Sequence, residues 1–440
     1  MRSIFFLKHL GEQKNDSYLS RSCRALSTGK SNIMADMHSK PQRALVIGAT
    51  GVSGWSLCLQ LLQTQTPSAF ESVDLLTNRP VSLSDAQWPT DSRLRVHSGI
   101  DLNRTSEEVI GSFRGIPDIG EITHVFYVAC GMSPTYDFAE TAKINVQMTK
   151  AALDAIEAVA VCTKHISFQA GSIVYGIPFA DWLGDNFRPG PFNESFARVP
   201  PPFSDMVSHY RQEDYVKAMA DKNSWTWSSI RPDTIIGFTP RNSPHCLSVS
   251  LGLYFAFYRY VYGKGAVLHF PGSESAWKAD FTVIGQDQLA RFHIFTSTHA
   301  ASNGTPGALN ISNGETTSWE QIWPKIVQYF DLVGAPPEPK MAEGDSDDAS
   351  SPRFGPEWFQ GVTAKATEFE AEYGLQPDFV TNIAWQYLTF LLNLKIDRVL
   401  DIEKARDLGF LESSNTVSDF EKSWDHMRKA RIIPSVEQSD

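Results

Sequence analysis

The segment Ala44–Gly54, ALVIGATGVSG, constrains this chain more than any other. Ala44-Leu-Val-Ile47 is an apolar run of strand length, and Val52 to Leu62 continues with apolar residues at helical spacing. Gly48, Gly51 and Gly54 therefore fall at a strand-to-helix turn. There the first glycine permits the tight turn, the second lets the backbone approach a pyrophosphate, and the third allows close helix packing. The helix N-terminus favours the phosphate charge. The pattern predicts a dinucleotide site in which Gly48, Thr50, Gly51, Val52 and Gly54 contact the cofactor.

Further strands are expected at Val73–Asn78, Leu94–Ser98, Ile122–Ala129, His165–Gln169 and Thr226–Arg231, with helices at Thr141–Ala158 and Tyr210–Lys222 between them. This alternation predicts an α/β fold with a doubly wound parallel Rossmann sheet. Residues 43–240 read as the dinucleotide-binding domain. Residues 241–440 read as a smaller, mainly helical substrate lobe, with the stretch at about 280–312 returning to the first domain. Helices are expected there over Cys246–Tyr258, Trp319–Phe330, Phe379–Leu394, Ile402–Leu408 and Phe420–Ala430. Pro189–Pro202 reads as a surface loop and Ala342–Ser351 as a mobile acidic run.

A net charge of −11 in 440 residues, with no basic stripe, argues against a nucleic-acid partner. The five cysteines are widely separated and lack a C-x-x-C pair, which fits a reducing compartment such as the cytoplasm. Residues 1–42 are basic and serine-rich and read as a disordered or a targeting extension; in the second case the compartment is mitochondrial. The apolar stretch Cys246–Tyr258 is shorter than the roughly 18 to 20 residues of a membrane span. No metal-ligand spacing and no nucleophile–histidine–acid pattern is present.

In such a fold an acid at the end of the second strand holds the ribose 2′-hydroxyl of NAD, whereas an arginine accommodates the 2′-phosphate of NADP. Here the strand ends Leu76-Thr-Asn-Arg-Pro80. Thr77 stands in the acid's place and Arg79 follows with a fork suited to phosphate. NADP(H) is the expected cofactor, with Asn78 and Arg79 at its adenosine end. Asp74 lies too early in the strand to reach the ribose. Asp101 and Leu102 after the third strand would border the adenine, and Ala129 after the fourth would border the nicotinamide ribose.

Three further segments follow in order: Lys164-His-Ile-Ser-Phe-Gln-Ala-Gly-Ser-Ile-Val-Tyr-Gly-Ile-Pro-Phe179, His209-Tyr-Arg-Gln-Glu-Asp214, and Arg231-Pro-Asp-Thr-Ile-Ile-Gly-Phe-Thr-Pro240. Together with DIEKARDLGF from Asp401 and SWDHMRKARIIP up to Pro434, they resemble the progesterone 5β-reductase/iridoid synthase-like enzymes, atypical extended short-chain dehydrogenases. The resemblance spans roughly residues 43–435. It implies NADPH-dependent reduction of an activated C=C bond in a small hydrophobic enone, enal or related carbonyl compound, in specialised metabolism. It also implies that Tyr210, matching the group's Tyr-x-x-Glu-Asp motif, contacts cofactor and substrate and gives the hydrogen bond to the carbonyl oxygen where charge develops.

Ordinary short-chain dehydrogenases carry Tyr-x-x-x-Lys, but the fourth residue after Tyr210 is Asp214. The group's compensating lysine falls on Ile173, which offers neither cation nor donor. The serine or threonine of epimerase-type members falls on Gly171. A literal Tyr260-x-x-x-Lys264 lies after the Arg231-Pro232 strand, on the wrong side of it for this fold. Trp182, Phe255, Tyr258, Trp277 and Phe281 offer aromatic area for a lipophilic pocket. Two other readings stand beside the reductase: a cofactor-bound isomerase or cyclase without net redox change, and an NADP-sensing protein without turnover. A homodimer is within the expected assemblies.

Overall fold

The computed structural model describes residues 41–63, 69–241, 246–303, 307–338 and 353–435. Residues 1–40 of the N-terminal extension and the acidic run 342–351 lie outside the described residues.

Apolar residues with strand propensity build a central sheet from β1 (Gln42–Ile47), β2 (Phe70–Thr77), β3 (Leu94–Ser98), β4 (His124–Tyr127), β5 (His165–Gln169), β6 (Thr226–Pro232) and β10 (Gly307–Ile311). The strand order is β10-β6-β5-β4-β1-β2-β3, every pairing parallel. Ala44 to Ile47 are completely or almost completely buried, as a strand covered on both faces requires. The order reverses beside β1, and the crevice at that switch point is where a doubly wound sheet binds its ligand.

β7 (Thr234–Ile236), β9 (Asp280–Gly285) and β11 (Thr316–Ser318) form a three-stranded sheet, and β8 (Val267–His269) pairs with β12 (Val333–Ala335). The stretch that leaves β9 passes through the helix Gln286–Asn303 and ends in β10, which extends the central sheet beyond β6. The helix Leu247–Tyr262 is buried nearly all round, among aromatic residues of the C-terminal half. No helix among the described residues is long and apolar enough to cross a membrane.

The helix expected over 379–394 is only Trp385–Leu392. Asp378 sits in the left-handed region at φ 65°, and its carbonyl is taken by the side chains of Thr381 and Asn382. Local side-chain bonds thus compete with the helix at its start.

Buried histidines bind the centre of the sheet. His165 bonds Thr226 and Ser228 through its two ring nitrogens, His293 bonds Ser167, and His124 bonds Thr123. Burial holds their pKa values down, to about 4 for His124, to about 3 for His293, and well below the ordinary value for His165. Below the unfolded histidine pKa of about 6.5 the unfolded chain therefore takes up protons that the folded chain refuses. Folding stability should fall as pH drops from about 6.5 towards 4.5, by up to about 1.4 kcal/mol per pH unit for each histidine. Urea unfolding across this range should show that slope, and it should be shallower in His293→Gln; a pH-independent midpoint would contradict the assignment.

Candidate active site

The glycine turn shows why its residues are small. Gly48 has φ 94°, and a Cβ there would lie 2.6 Å from the Ala129 backbone. A Cβ on Gly54 would lie 2.2 Å from the Gly48 carbonyl oxygen, so the helix Val52–Gln63 rests directly on the end of β1. Gly51 is exposed, its N–H bonds the Gly48 carbonyl at 3.1 Å, and it opens the helix N-terminus. Thr50 and Val52 flank it, half-buried.

At the end of β2, Thr77 is buried, donates to the Arg79 carbonyl at 2.9 Å and also bonds Ser98. Its short side chain shapes the loop and leaves Asn78 and Arg79 exposed. These two residues, Thr50 and Arg241 line a pocket of about 420 Å³. Arg241 donates to the Pro80 carbonyl at 2.9 Å. It was not legible as a site residue, because it follows β7 and meets Arg79 only in the fold. Asp74 is fully buried inside β2. Burial opposes its ionisation, but hydrogen bonds from His97 and Arg95 outweigh that and hold its carboxyl below the usual range. Asp101 caps its own turn through Asn103, and Leu102 packs into the core below the sheet.

Ala129 leaves β4 half-buried against Gly48. Beyond it, the Asn145 side chain takes both the N–H and the carbonyl of Gly131, at 2.9 and 2.8 Å. Asn145 also lends its carbonyl to Gln212, whose amide donates to Thr149 at 2.7 Å. With that orientation the Gln212 oxygen accepts from His209 Nδ1–H at 2.9 Å, and Nε2 presents its lone pair beside Gly171. Burial holds the His209 pKa below its ordinary value. At the end of β5, Gln169 Oε1 is buried without a hydrogen-bond partner. The open face of Gly51, the two-arginine pocket and this unpartnered oxygen together fit a dinucleotide laid across the C-terminal ends of the strands.

Tyr210 begins the helix Ser208–Asn223 and is buried. Its hydroxyl donates to the Val174 carbonyl at 2.5 Å and accepts from the Val199 N–H at 3.0 Å. Burial pushes the phenol's pKa up. Its proton is given to the backbone of the turn Ser172–Tyr175, and the ring packs with Ile173, Ile177 and Leu394, which line the neighbouring cleft. Asp214, where a lysine would stand in the common motif, pairs with Arg198 at 2.6 Å, and Arg198 also bonds the Tyr210 carbonyl. This fastens Val199 over the tyrosine. Glu213 forms a buried ion pair with Arg231 at 2.7 Å.

That cleft, about 300 Å³, lies beside the glycine turn and includes Val52. Ile173, Ile177, Tyr387, Phe390 and Leu394 give it an apolar lining, and Ser172, Asp233 and Arg398 a polar one. Of the aromatic residues expected in a pocket, Phe255, Tyr258, Trp277 and Phe281 are buried in the core. Trp182 is exposed on an adjoining depression that shares Ile177 and Phe390 with the cleft. Tyr260 and Lys264 bond Glu372 and Asp331, away from the cleft.

Residues 44–434 match the PRISE-like Rossmann-fold domain family. The chain belongs to it. The short chain dehydrogenase sirQ of Leptosphaeria maculans is 36% identical over 398 residues, covering 90% of this chain and 98% of the relative. The (S)-8-oxocitronellyl enol synthase of Antirrhinum majus is 26% identical over 394 residues, covering 89% and 92%. Among solved structures, UDP-glucose 4-epimerase of Thermus thermophilus, in complex with NAD, superposes with a TM-score of 0.53 at 17% identity, covering 88% of this chain and 99% of that one. Its likeness shows the extended short-chain dehydrogenase fold. The family and its relatives make this chain an oxidoreductase-type enzyme of the short-chain dehydrogenase class.

Gly54→Ala tests the glycine turn. A methyl group pressed against the Gly48 carbonyl must displace backbone, so the variant should lose about 1–3 kcal/mol of stability. It should also lose dinucleotide binding. Calorimetry and nucleotide titration read both, and wild-type behaviour would refute the packing role.

Proposed function

We propose that this enzyme is an NADPH-dependent reductase of a small hydrophobic enone, enal or related carbonyl compound. The observation that carries the reading is the adjacency of an apolar cleft to the glycine turn, with Val52 contributing to both. NADPH rather than NADH is supported by Thr77 in the acid's place and by Arg79 and Arg241 converging on one pocket. When bound, the nicotinamide supplies a hydride.

The chain's own residues do the rest. The turn Gly48–Gly54 seats the pyrophosphate, and Arg79 with Arg241 receives the 2′-phosphate. Ile173, Ile177, Phe390 and Leu394 hold the apolar body of the substrate and exclude water. Tyr210 acts as a positioning residue, because its proton secures the turn that carries Ser172 and Ile173. The Antirrhinum relative is named for forming an enol, which accords with a site that steadies charge on a carbonyl oxygen.

Purified protein incubated with NADPH and a panel of enals, enones and saturated ketones should consume cofactor with the conjugated compounds and yield saturated carbonyl products. New product without cofactor loss would indicate an isomerase or cyclase, and binding without turnover a sensor; either would overturn the proposal. Arg79→Ala and Arg241→Ala should each weaken NADPH binding by about 10- to 100-fold and leave NADH unchanged. Equal losses for both cofactors would remove the 2′-phosphate argument.

Tyr210→Phe separates a positioning role from direct contact. It should lower kcat/KM by about 10-fold and stability by about 1–2 kcal/mol, since it strips bonds from a buried turn. A loss above about 1,000-fold at unchanged stability would place the phenol on the substrate oxygen instead.

A further inference from the structure

The cleft contains a charged assembly that the glycine turn and the arginine pocket do not explain. Arg398 and Asp233 pair at 2.7 Å with side chains only 5% and 7% exposed, and both line the cleft. Asp233 follows β6, whereas Arg398 lies 165 residues further along, so the pair ties the C-terminal segment to the central sheet. Ser172 gives its hydroxyl proton to the other oxygen of Asp233. Arg398 Nη1 serves Asp233 and, more distantly, Thr234, and the guanidinium lies 5.2 Å from the Phe281 ring. Among the described residues, no other partner engages its Nε and Nη2 groups.

We propose that Arg398 is the residue that receives the substrate's carbonyl oxygen and stabilises the negative charge that forms on it, with Asp233 and Ser172 as positioning residues. This rests on the reductase reading and names the anchor within it. Ser172 donates to Asp233, Tyr210 donates to Val174, and Ile173 has no donor, while Tyr387 lines the cleft beside the Arg398–Asp233 pair. A guanidinium offers N–H groups in a fixed plane.

The pairing also selects the ligand. Asp233 balances the guanidinium charge at rest, so what Nη2–H or Nε–H receives before reaction is a neutral carbonyl oxygen. When hydride from NADPH forms the new bond at the β-carbon, the π pair of the C=C moves to make the enolate. Its oxygen gains charge against the guanidinium, and a solvent proton then completes the α-carbon. The substrate class is accordingly an apolar α,β-unsaturated ketone or aldehyde.

The double variant Arg398→Gln/Asp233→Asn removes both charges and strands neither. It should lower kcat on the best enone at least 100-fold while leaving the NADPH dissociation constant unchanged. A turnover-independent probe uses 4-tert-butylphenol, an enolate mimic, and 4-tert-butylanisole, which cannot ionise, each titrated into protein saturated with NADP⁺. The phenol should bind at least 10-fold more weakly to the double variant, and the anisole equally to both proteins. Equal phenol affinity for wild type and variant would overturn the anchor. Wild-type protein that binds the phenol through Arg398 yet never oxidises NADPH would keep the anchor and remove the reductase reading. Should the double variant fail to fold, Arg398→Lys carries the test: a lower kcat at unchanged KM for NADPH supports the proposal, and an unchanged kcat refutes it.

Discussion

The site depends on one close approach, that of Gly54 to the carbonyl of Gly48. With no side chain at either position, the helix Val52–Gln63 rests on the end of β1, and Gly48 in turn lies against Ala129 at the end of β4. The helix N-terminus is thereby brought to the place where the strand order reverses, a position suited to a ligand's anionic group. From this point the two-arginine pocket lies beyond β2, while the apolar cleft lies towards β5 and β6.

On the cleft side the common tyrosine–lysine arrangement is dismantled and its parts are reassigned. Asp214 carries the opposite charge to the usual lysine and uses it to hold Arg198, and so fixes Val199 on the Tyr210 hydroxyl. That hydroxyl in turn holds the turn containing Ile173. Charge returns to the cleft from a different part of the chain, through Arg398 braced by Asp233. The arrangement keeps a buried cation beside an apolar cavity without leaving it unpaired, which would be costly.

Much of this was legible in the sequence. The glycine spacing, the alternation of strands and helices and the motif after β5 are local patterns, and the parallel sheet and the dinucleotide turn follow from them. The helix over 379–394 was overextended because apolar spacing does not reveal a left-handed residue at Asp378. Arg241 and Arg398 are illegible for another reason: each acquires its meaning from a partner far away in sequence, and a single arginine in a loop carries no periodic signal. Tyr210 was found by its motif, but a motif does not show where a hydroxyl points. Only the Val174 carbonyl and the Val199 N–H reveal where its proton is given and what it accepts.

The most direct measurement of the central claim is isotopic. NADPH carrying deuterium at the transferable C4 position, incubated with an apolar enal and this enzyme, should give a saturated product with one deuterium on the β-carbon, as read by mass spectrometry and NMR. Product without deuterium, or with deuterium on the carbonyl carbon, would contradict the account.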